Sequence, residues 1–483
     1  MARYKTVDRD QMVMLPVSLD QLVEEDHLAK KIYFLLDSGL IDLSAFEEDF
    51  NNDESGALAY HPKNILAILI YAYSSGIRSS RVIEQLCYDN LAYMYLADLQ
   101  KPDHTTLANF RTKHDHAFEE IFSQTVFLGI EAGLIDFKHI ASDGTKMDGA
   151  GSRSQLVNGN KIASRIEKCE QRVKEILKEA ELADGKEIKS NLEKKTKKLS
   201  MKLDKLHFAK KEYDRAKTGI KEEDEKLRYH LSESQARLLK DKDGYHSGYN
   251  AQTSVDSKTQ MILAKRVTQS ENDSGEGLKT REDLISRYGK PRLEGSIFSF
   301  DNGYHNQELI RLDGEDAIGL LVSQGNKSTG QGDFRYNRER DVFICPEGKD
   351  LSFQREKILS GRVFREYRLN GCSNCLSGDL CFKKGAKNKR QKLKLIEKDK
   401  LELRETFETY QEKMNRQEVK KEYKNRMATV EPVFGHMTYH RKASRFHVWG
   451  LLKADMEYSL MCIVHNLVKI IKYSNLDPLK AWA

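Results

Sequence analysis

Two short stretches of this chain decide its fold: Lys138-His-Ile-Ala-Ser-Asp143-Gly-Thr145 and Gly295-Ser-Ile-Phe-Ser-Phe-Asp301-Asn-Gly303-Tyr304. Each contains a short apolar run that is typical of a strand, and each reaches an aspartate that is followed closely by glycine. A strand end projects its side chains toward the crevice at the edge of a sheet, where functional sites collect. We therefore predict a mixed α/β fold in which Asp143 and Asp301 face one such crevice.

Further elements lie between and after these two strands. Residues 157–240 are highly charged and carry apolar residues at alternating spacings of three and four, as in a coiled-coil seam, which predicts an inserted helical hairpin. Two strands, Tyr249–Val255 and Met261–Val267, then form a hairpin of their own. Glu431 precedes Pro432, and because the residue before proline avoids the helical region, Glu431 is predicted to stand at the very start of a helix.

The N-terminal part of the chain has a different pattern. Residues 1–60 are acidic and irregular, whereas residues 61–135 show helical spacing and predict a small all-α domain. Its Arg111, Lys113 and His114 are candidates for an exposed reading surface of the helix-turn-helix kind. A plain helical bundle explains the same pattern at least as well.

Composition and charge exclude a membrane protein and suggest a polyanionic partner. The 483 residues are 39% apolar and 32% charged. The longest apolar run is too short to span a bilayer, so we expect a cytoplasmic protein. Lys and Arg minus Asp and Glu gives −11 for residues 1–150, +8 for 151–240, −2 for 241–380 and +11 for 381–483. Such basic blocks favour nucleic acid, although solvated helix faces produce the same pattern.

Three carboxylates are the candidates for chemistry: Asp143, Asp301 and Glu431. Converging at one site, they would repel one another unless a cation neutralised them. Oxygen ligands of this kind suit Mg²⁺, and two such ions support phosphoryl transfer, the chemistry that cuts and joins DNA strands. Taken alone, an aspartate before glycine is more often a turn residue. The chain offers further aspartates in similar contexts, namely Asp148, Asp256, Asp273, Asp313 and Asp316.

The motifs around the three acids resemble the DDE transposases of bacterial insertion sequences. They are Ala141-Ser-Asp-Gly-Thr145, Asp301-Asn-Gly-Tyr304, and Tyr423-x-x-Arg426 followed by Val430-Glu-Pro-Val-Phe-Gly435. The similarity is closest to the large branch whose Glu region carries Tyr, Arg, Glu and Lys. It extends to Pro102–Leu107 and to His465-Asn-Leu467, so it covers nearly the whole chain.

The resemblance implies a ribonuclease-H-like catalytic core. It implies that Asp143, Asp301 and Glu431 bind two Mg²⁺ ions, or Mn²⁺ in their place. It also implies that Tyr423 and Arg426 contact phosphates near the cleaved DNA end. An ordinary charged helix is the alternative explanation of the last two residues.

The chain departs from that branch at one position. The branch carries its Lys seven residues after the Glu, where this sequence has Thr438. Arg441 or Lys442, one helical turn further on, is expected to serve instead. Together with Arg445, they are predicted to contact DNA.

A second constellation consists of four cysteines. Cys345 is followed after 26 residues by Cys372-x-x-Cys375, and five residues later by Cys381. Such a set can form a tetrahedral zinc site of four sulfurs, around which a segment poor in apolar residues would fold. The alternative is four reduced thiols without a metal.

The predicted function is that of a DNA transposase. It would bind double-stranded DNA at the inverted-repeat ends of its element, free 3′-hydroxyl ends and join them to target DNA, acting as a homodimer at the nucleoid. The alternatives are a nuclease of the same fold that never joins DNA, and a non-catalytic domesticated DNA-binding protein. The expected organisation is an acidic segment (1–60), an all-α domain that binds DNA ends (61–135), a first core segment (136–156), the hairpin (157–240), a second core segment (241–324), a Cys-rich insertion (325–395) and a C-terminal helical part of the core that carries Glu431 (396–483).

Overall fold

The computed structural model describes residues 18–47, 59–182, 186–217, 228–240, 244–323, 334–359, 362–372, 375, 381, 391–398, 401 and 404–474. The chain divides into two compact units, one made of Met1–Leu134 with His436–Ala483 and the other of Ile135–Gly435. Helices and sheets are both present, which confirms the mixed α/β class and the helical N-terminal region. No helix in the described residues has the length and apolar character needed to cross a membrane.

The first unit is helical, and local sequence sets the starts of its helices. Pro62 lies in the first turn of a helix, where no amide donor is required. Asp103 caps another helix by accepting a hydrogen bond from the Thr106 amide at 2.6 Å. The helices are α1 (Leu28–Asp37), α2 (Ser44–Glu47), α3 (Pro62–Ser74), α4 (Ser80–Asp89), α5 (Leu91–Leu96), α6 (His104–Lys113) and α7 (Asp115–Glu131). Because α1 buries an apolar face, the irregular structure expected over residues 1–60 is wrong for this part.

A C-terminal helix, Leu451–Tyr473, completes this unit. It is buried at every position from Met456 to Leu467 and packs against α1, α3, α6 and α7. A helix that is apolar all round needs partners on several sides, and these four helices supply them. The structure therefore divides the segment predicted as one piece over 396–483 after Gly435.

A buried charge network joins the helices of this unit. Glu457 is fully buried and accepts hydrogen bonds from Arg78 at 2.7 Å and from the Tyr73 hydroxyl at 3.1 Å. Arg111 in turn donates to the Tyr73 hydroxyl at 2.8 Å. Arg111 and His114 are buried and only Lys113 is exposed, so the exposed reading surface predicted from these three residues is wrong for Arg111 and His114. The guanidinium of Arg111 lies inside because Glu457 needs buried positive charge near it.

The second unit combines two larger sheets with helices. Its elements in chain order are β1 (His139–Asp148), β2 (Leu156–Val157), α8 (Gly159–Leu182), α9 (Lys186–Lys217), β3 (Tyr229–His230), β4 (Arg237–Lys240), β5 (Tyr245–Asp256), β6 (Ile262–Thr268), α10 (Glu276–Tyr288), α11 (Lys290–Leu293), β7 (Ile297–Phe300), α12 (Gln307–Arg311), β8 (Gly319–Val322), β9 (Arg335–Asn337), β10 (Val342–Ile344), β11 (Asp350–Leu359), β12 (Arg362–Asn370), β13 (Gln391–Glu397), α13 (Arg404–Asn415) and α14 (Gln417–Gly435).

The six-stranded sheet carries the predicted aspartates. Its order is β4-β5-β1-β7-β8, and β6 also pairs with β5. β1 is antiparallel to β5 and parallel to β7, and β7 is parallel to β8. Helix α14 packs against β1, β5 and β7 through a face on which Arg426, Thr429, Val430 and Val433 are buried.

The predicted helical hairpin is formed by α8 and α9, which pack against each other. Cys169 and Ile176 are buried on α8 at the heptad spacing expected of a seam. At the base of the hairpin, β2 pairs with β3 through Leu156 opposite His230. This pairing returns the chain to the sheet at β4 and β5.

The described part of the Cys-containing segment is a five-stranded antiparallel sheet in the order β13-β12-β11-β10-β9. Its core is built on Phe343, Leu351 and Tyr367, each of which is fully buried. Cys345 and Cys381 belong to the same core. The segment thus has an apolar core of its own beside the cysteines.

Candidate active site

Two aspartates lie side by side on the six-stranded sheet. In the parallel pair of β1 and β7, Ser142 is opposite Phe300, so the next residues, Asp143 and Asp301, stand level with each other. Asp301 directly follows the last residue of β7 and caps a 3₁₀ turn by accepting a hydrogen bond from the Gly303 amide at 2.8 Å. The sequence predicts that the first strand ends at Asp143. This prediction is wrong, because β1 continues past Asp143 and remains paired with β5 as far as Asp148.

The electrostatic environment of Asp143 is unusual for an aspartate. Burial raises its pKa to about 6. The Arg426 guanidinium lies 3.1 Å from Asp143 Oδ2 and acts to lower the pKa, whereas the nearby charge of Asp301 acts to raise it. A carboxylate with its pKa displaced by burial and by a second carboxylate is a recognised sign of a functional site.

Helix α14 supplies the two residues that the Tyr-Arg spacing singles out. Tyr423 and Arg426 are one turn apart, so they project from the same side of the helix. The Tyr423 hydroxyl donates a hydrogen bond to the carbonyl of Phe300 at 3.1 Å, immediately before Asp301. Arg426 is buried and faces Asp143. Both side chains therefore lie at the aspartate pair.

Glu431 lies outside this cluster. It is exposed, whereas the neighbouring Val430 is fully buried on the face of α14 that packs on the sheet. Within the described residues, no group of three or more His, Cys, Asp or Glu side chains is arranged to hold a metal. The structure thus brings Asp143 and Asp301 together but does not bring Glu431 to them.

The position of Glu431 in its helix corrects the expectation from Pro432. Both residues lie inside α14, which continues to Gly435 and is followed by a π-helical turn, His436–His440. A proline in a helix leaves the carbonyl four residues earlier without its amide donor. The side-chain amide of Gln260 donates to that carbonyl, on Ala428, at 3.1 Å. This tertiary hydrogen bond compensates for the missing one.

A third aspartate, Asp273, stands beside the pair and is missed by sequence reasoning. Its carboxylate accepts hydrogen bonds from Lys146 at 3.1 Å, from Asn250 at 2.6 Å and from Gln252 at 2.7 Å. The hydroxyl of the buried Tyr304 donates to the side-chain carbonyl of Gln252. Burial, followed by the charges of the three aspartates, raises the Tyr304 pKa well above its usual value.

This network has a signal in the sequence. Asn250 and Gln252 are polar residues two apart on β5, and both are buried, in a strand where apolar side chains would be expected on such a face. Gly144 is required beside them, because a Cβ there would lie 2.3 Å from Gln252 Nε2. Buried polar residues at a period of two therefore mark the wall behind Asp143 and Asp301.

The cations predicted after Glu431 have different environments. Lys442 and Arg445 are exposed. Arg441 is only 4% exposed, and burial lowers its pKa to about 10. Thr438, at the position of the family Lys, is half-buried in the π-helical turn. Of this basic region, Lys442 and Arg445 are accessible for DNA contact, and Arg441 is enclosed by its unit.

The four cysteines share one small cavity. Cys345, Cys372, Cys375 and Cys381 line a space of about 20 Å³ at the edge of the five-stranded sheet. The Lys349 amide donates a hydrogen bond to Cys345 Sγ at 3.3 Å, across a turn in which Gly348 has a φ of +74°. Although the described residues contain no formed metal group, the fold gathers the cysteines that the sequence singled out.

Comparison with known proteins gives two family matches. Residues 344–471 match a model described as "Transposase DDE domain", and residues 17–113 match one described as "Transposase domain (DUF772)". The first match includes Tyr423, Arg426 and Glu431, whereas Asp143 and Asp301 precede it. No curated protein and no solved structure matched the chain.

Proposed function

Since the two family matches identify this chain as a DDE transposase of the insertion-sequence type, we propose that it cuts DNA at the ends of its element and joins the freed 3′-hydroxyls to target DNA. The observation that carries the proposal is the pairing of Asp143 and Asp301 at one level of the parallel strands β1 and β7. Tyr423 and Arg426 face the same pair, as expected for groups that hold a phosphate. We further propose that the six-stranded sheet is a ribonuclease-H-like core.

The aspartates have the chemistry needed to hold divalent metal ions, which DDE transposase domains generally use. Both offer carboxylate oxygens, the donors that Mg²⁺ and Mn²⁺ prefer. The mutual repulsion that contributes to the raised pKa of Asp143 would be relieved by a bound cation. When bound, such ions would activate the attacking oxygen and stabilise the leaving one. We assign Asp143, Asp301 and Glu431 as the ligands.

Arg426 has a particular part in this proposal. Its guanidinium lies 3.1 Å from the Asp143 carboxylate and neutralises it, as a bound metal ion would. A guanidinium also binds phosphate oxygens in a bidentate manner. We propose that Arg426 exchanges its carboxylate partner for a DNA phosphate, which leaves Asp143 free to bind metal and positions the phosphate beside it.

The assignment of Glu431 requires α14 to change near its C-terminal end. Glu431 is exposed and Pro432 interrupts the backbone hydrogen bonds of α14 directly after it. The same helix changes to a π-helical turn at His436, so its last turns are irregular. A small rotation at this point would redirect Glu431 while Arg426, more than one turn earlier, stays packed on the sheet.

We assign the exposed Lys442 and Arg445, with the basic hairpin, as phosphate contacts that supply affinity without sequence choice. DNA-end recognition is assigned to the helical N-terminal domain, and synapsis of two ends to a homodimer. The four cysteines around their common cavity are assigned as a structural zinc site without an open coordination position. Metal analysis of the purified protein tests this: about one zinc per chain is expected, and a value near zero would refute it.

The test of the main proposal uses a supercoiled plasmid that carries the inverted repeats flanking the gene, with Mg²⁺. Wild-type protein is expected to nick at the ends and to give joined target products. Asp143→Asn, Asp301→Asn and Glu431→Gln are each expected to lose both activities while remaining folded. Asp283→Asn is the matched control, because Asp283 makes an ion pair with Arg287 on α10.

The outcomes separate the alternatives. Cleavage without joined products would favour a nuclease of the same fold. Specific end binding without Mg²⁺-dependent cleavage would favour a non-catalytic DNA-binding protein. Full activity in Asp143→Asn or Asp301→Asn would contradict the assigned site, and full activity in Glu431→Gln alone would remove only the third ligand.

A further inference from the structure

A cavity of about 1120 Å³ opens between the inserted hairpin and the six-stranded sheet. It is lined by α9, by the short strand β3 and by β4 with the first residue of β5. It is by far larger than the cysteine cavity, and it lies within the second unit. None of the residues assigned to metal binding or cleavage lines it.

The cavity wall is basic. Arg and Lys side chains outnumber acidic ones, with Glu212 and Glu271 as the acidic members. Glu212 is paired with Arg215 at 2.8 Å, so these two charges cancel and four basic residues remain against Glu271. The basic members are Arg153, Arg215, Arg228, Arg237 and Lys240. A concave surface with this excess attracts a polyanion and concentrates it.

Two exposed aromatic rings also line the cavity. Phe208 on α9 is 61% exposed, and Tyr245 at the start of β5 is 47% exposed. Lys240 lies 5.6 Å from the centroid of the Tyr245 ring. Exposed rings of this size leave apolar surface in water, which a stacked base would cover. Duplex DNA presents phosphates to such a wall but keeps its base faces stacked inside, so the rings favour unpaired bases.

Strand β5 connects the cavity with the strand that carries Asp143, because β5 begins at the cavity and pairs with β1. Thr253 of β5 is opposite Asp143, and Tyr245 is the first residue of β5. Eight residues of strand place the cavity about 26 Å from Asp143. A DNA segment held at the aspartates would therefore extend to the cavity within about one helical turn.

We propose that this cavity binds single-stranded DNA, with phosphates on its arginines and bases stacked on Phe208 and Tyr245. The inference goes beyond cleavage and joining, because it assigns a site for unpaired nucleotides away from the reacting phosphate. It requires no metal and no chemical step.

Binding is tested with the full chain in EDTA, which prevents cleavage, by fluorescence anisotropy. The probes are an oligothymidylate of about twelve nucleotides and a duplex of the same length. The single strand is expected to bind more tightly. Phe208→Ala and Tyr245→Ala are each expected to weaken single-strand binding on the order of tenfold. Arg153→Gln and Arg228→Gln are expected to weaken it and to lower its salt dependence by about 0.7 per lost phosphate contact.

Matched variants separate stacking in the cavity from general ring loss and from damage to the fold. Phe127→Ala removes a ring that is 51% exposed in the other unit, and binding is expected to be unchanged. Tyr245→Phe keeps the ring and is expected to keep the affinity, so a loss in both Tyr245 variants would indicate damage to the fold and would contradict stacking.

Two results would overturn the proposal. One is duplex binding as tight as single-strand binding together with unchanged affinity in the Phe208 and Tyr245 variants. The other is displacement of the oligonucleotide by polyglutamate at equal charge concentration, which would indicate a site for acidic protein segments. Either result would leave the assigned cleavage site untouched, because the assay contains no metal and changes none of its residues.

Discussion

Asp143 and Glu457 are both carboxylates beside arginines, yet the two units hold them in opposite ways, with Glu457 fully buried and 22% of the Asp143 side chain exposed. Burial would raise the pKa of Glu457, but Arg78 and Arg111 outweigh it and lower the pKa below its usual value. Its carboxylate accepts hydrogen bonds from Arg78, from the Tyr73 hydroxyl and from the His447 amide, the last at 2.8 Å. At Asp143, burial raises the pKa to about 6, and Arg426 only partly opposes it.

The difference separates a structural charge from a functional one. Glu457 is held by three hydrogen bonds and two buried arginines, so its charge is compensated within the protein and it stabilises the packing of its helices. Asp143 shares its site with another carboxylate and has one arginine. It is therefore free to accept a cation, which is what the proposed chemistry requires.

The largest expected effect concerns stability at Glu457. Glu457→Gln leaves Arg78 and Arg111 buried without a counter-charge, and such a loss costs about 3–5 kcal/mol. Asp143→Asn removes the partner of Arg426 but also relieves the repulsion by Asp301, so the free energy of unfolding should fall by less than in Glu457→Gln. Urea unfolding followed by circular dichroism measures both. A comparable loss in the two variants would refute the distinction.

The next effect is an opposite dependence on pH. The folded pKa of Asp143 is raised to about 6, so its contribution to stability is present below about pH 4 and is lost as pH rises to about 6. In EDTA, wild type should lose up to roughly 2 kcal/mol relative to Asp143→Asn over this range. Glu457 has a lowered pKa, so its contribution is present above about pH 4 and is lost on acidification. Parallel pH profiles for the two sites would contradict the comparison.

The smallest expected effect lies at the irregular end of α14. Gln260→Ala removes the hydrogen bond to the Ala428 carbonyl and should cost about 1 kcal/mol. In a Pro432→Ala background the helix supplies its own amide donor, so the same Gln260 substitution should cost less. A double-mutant cycle on thermal unfolding measures this coupling. Equal costs in both backgrounds would show that Gln260 does not compensate for Pro432.

Local patterns predicted much of the fold because they depend on neighbours in sequence. The apolar runs before Asp143 and Asp301 formed paired parallel strands, and the alternating spacing in 157–240 formed the hairpin. The environment of Glu431 was not predictable in this way. Glu431 is helical although it precedes proline, and the hydrogen bond that Pro432 cannot donate is replaced by Gln260, 168 residues away from Ala428 in the chain.

Long-range charge pairing explains the other differences. Arginine is usually a surface residue, but Arg111 is buried because it donates a hydrogen bond to Tyr73 and interacts with the charge of Glu457. Both partners are distant from it in sequence. In the sequence, nothing distinguishes Asp273 from several other aspartates. In the folded chain, Lys146, Asn250 and Gln252 donate hydrogen bonds to it. No periodic pattern encodes such contacts, because each member lies on a different element.

The sequence by itself determined the strand-and-aspartate motifs, the Tyr-Arg spacing of α14, the helical hairpin and the cysteine set, since these depend on residue type and spacing. The tertiary structure decided that Asp143 and Asp301 stand level, that Arg426 pairs with Asp143, and that Arg441 and Arg111 are enclosed. It also created the basic, aromatic cavity from α9, β3, β4 and β5. Burial and the pairing of distant charges follow from packing, which only the folded chain defines.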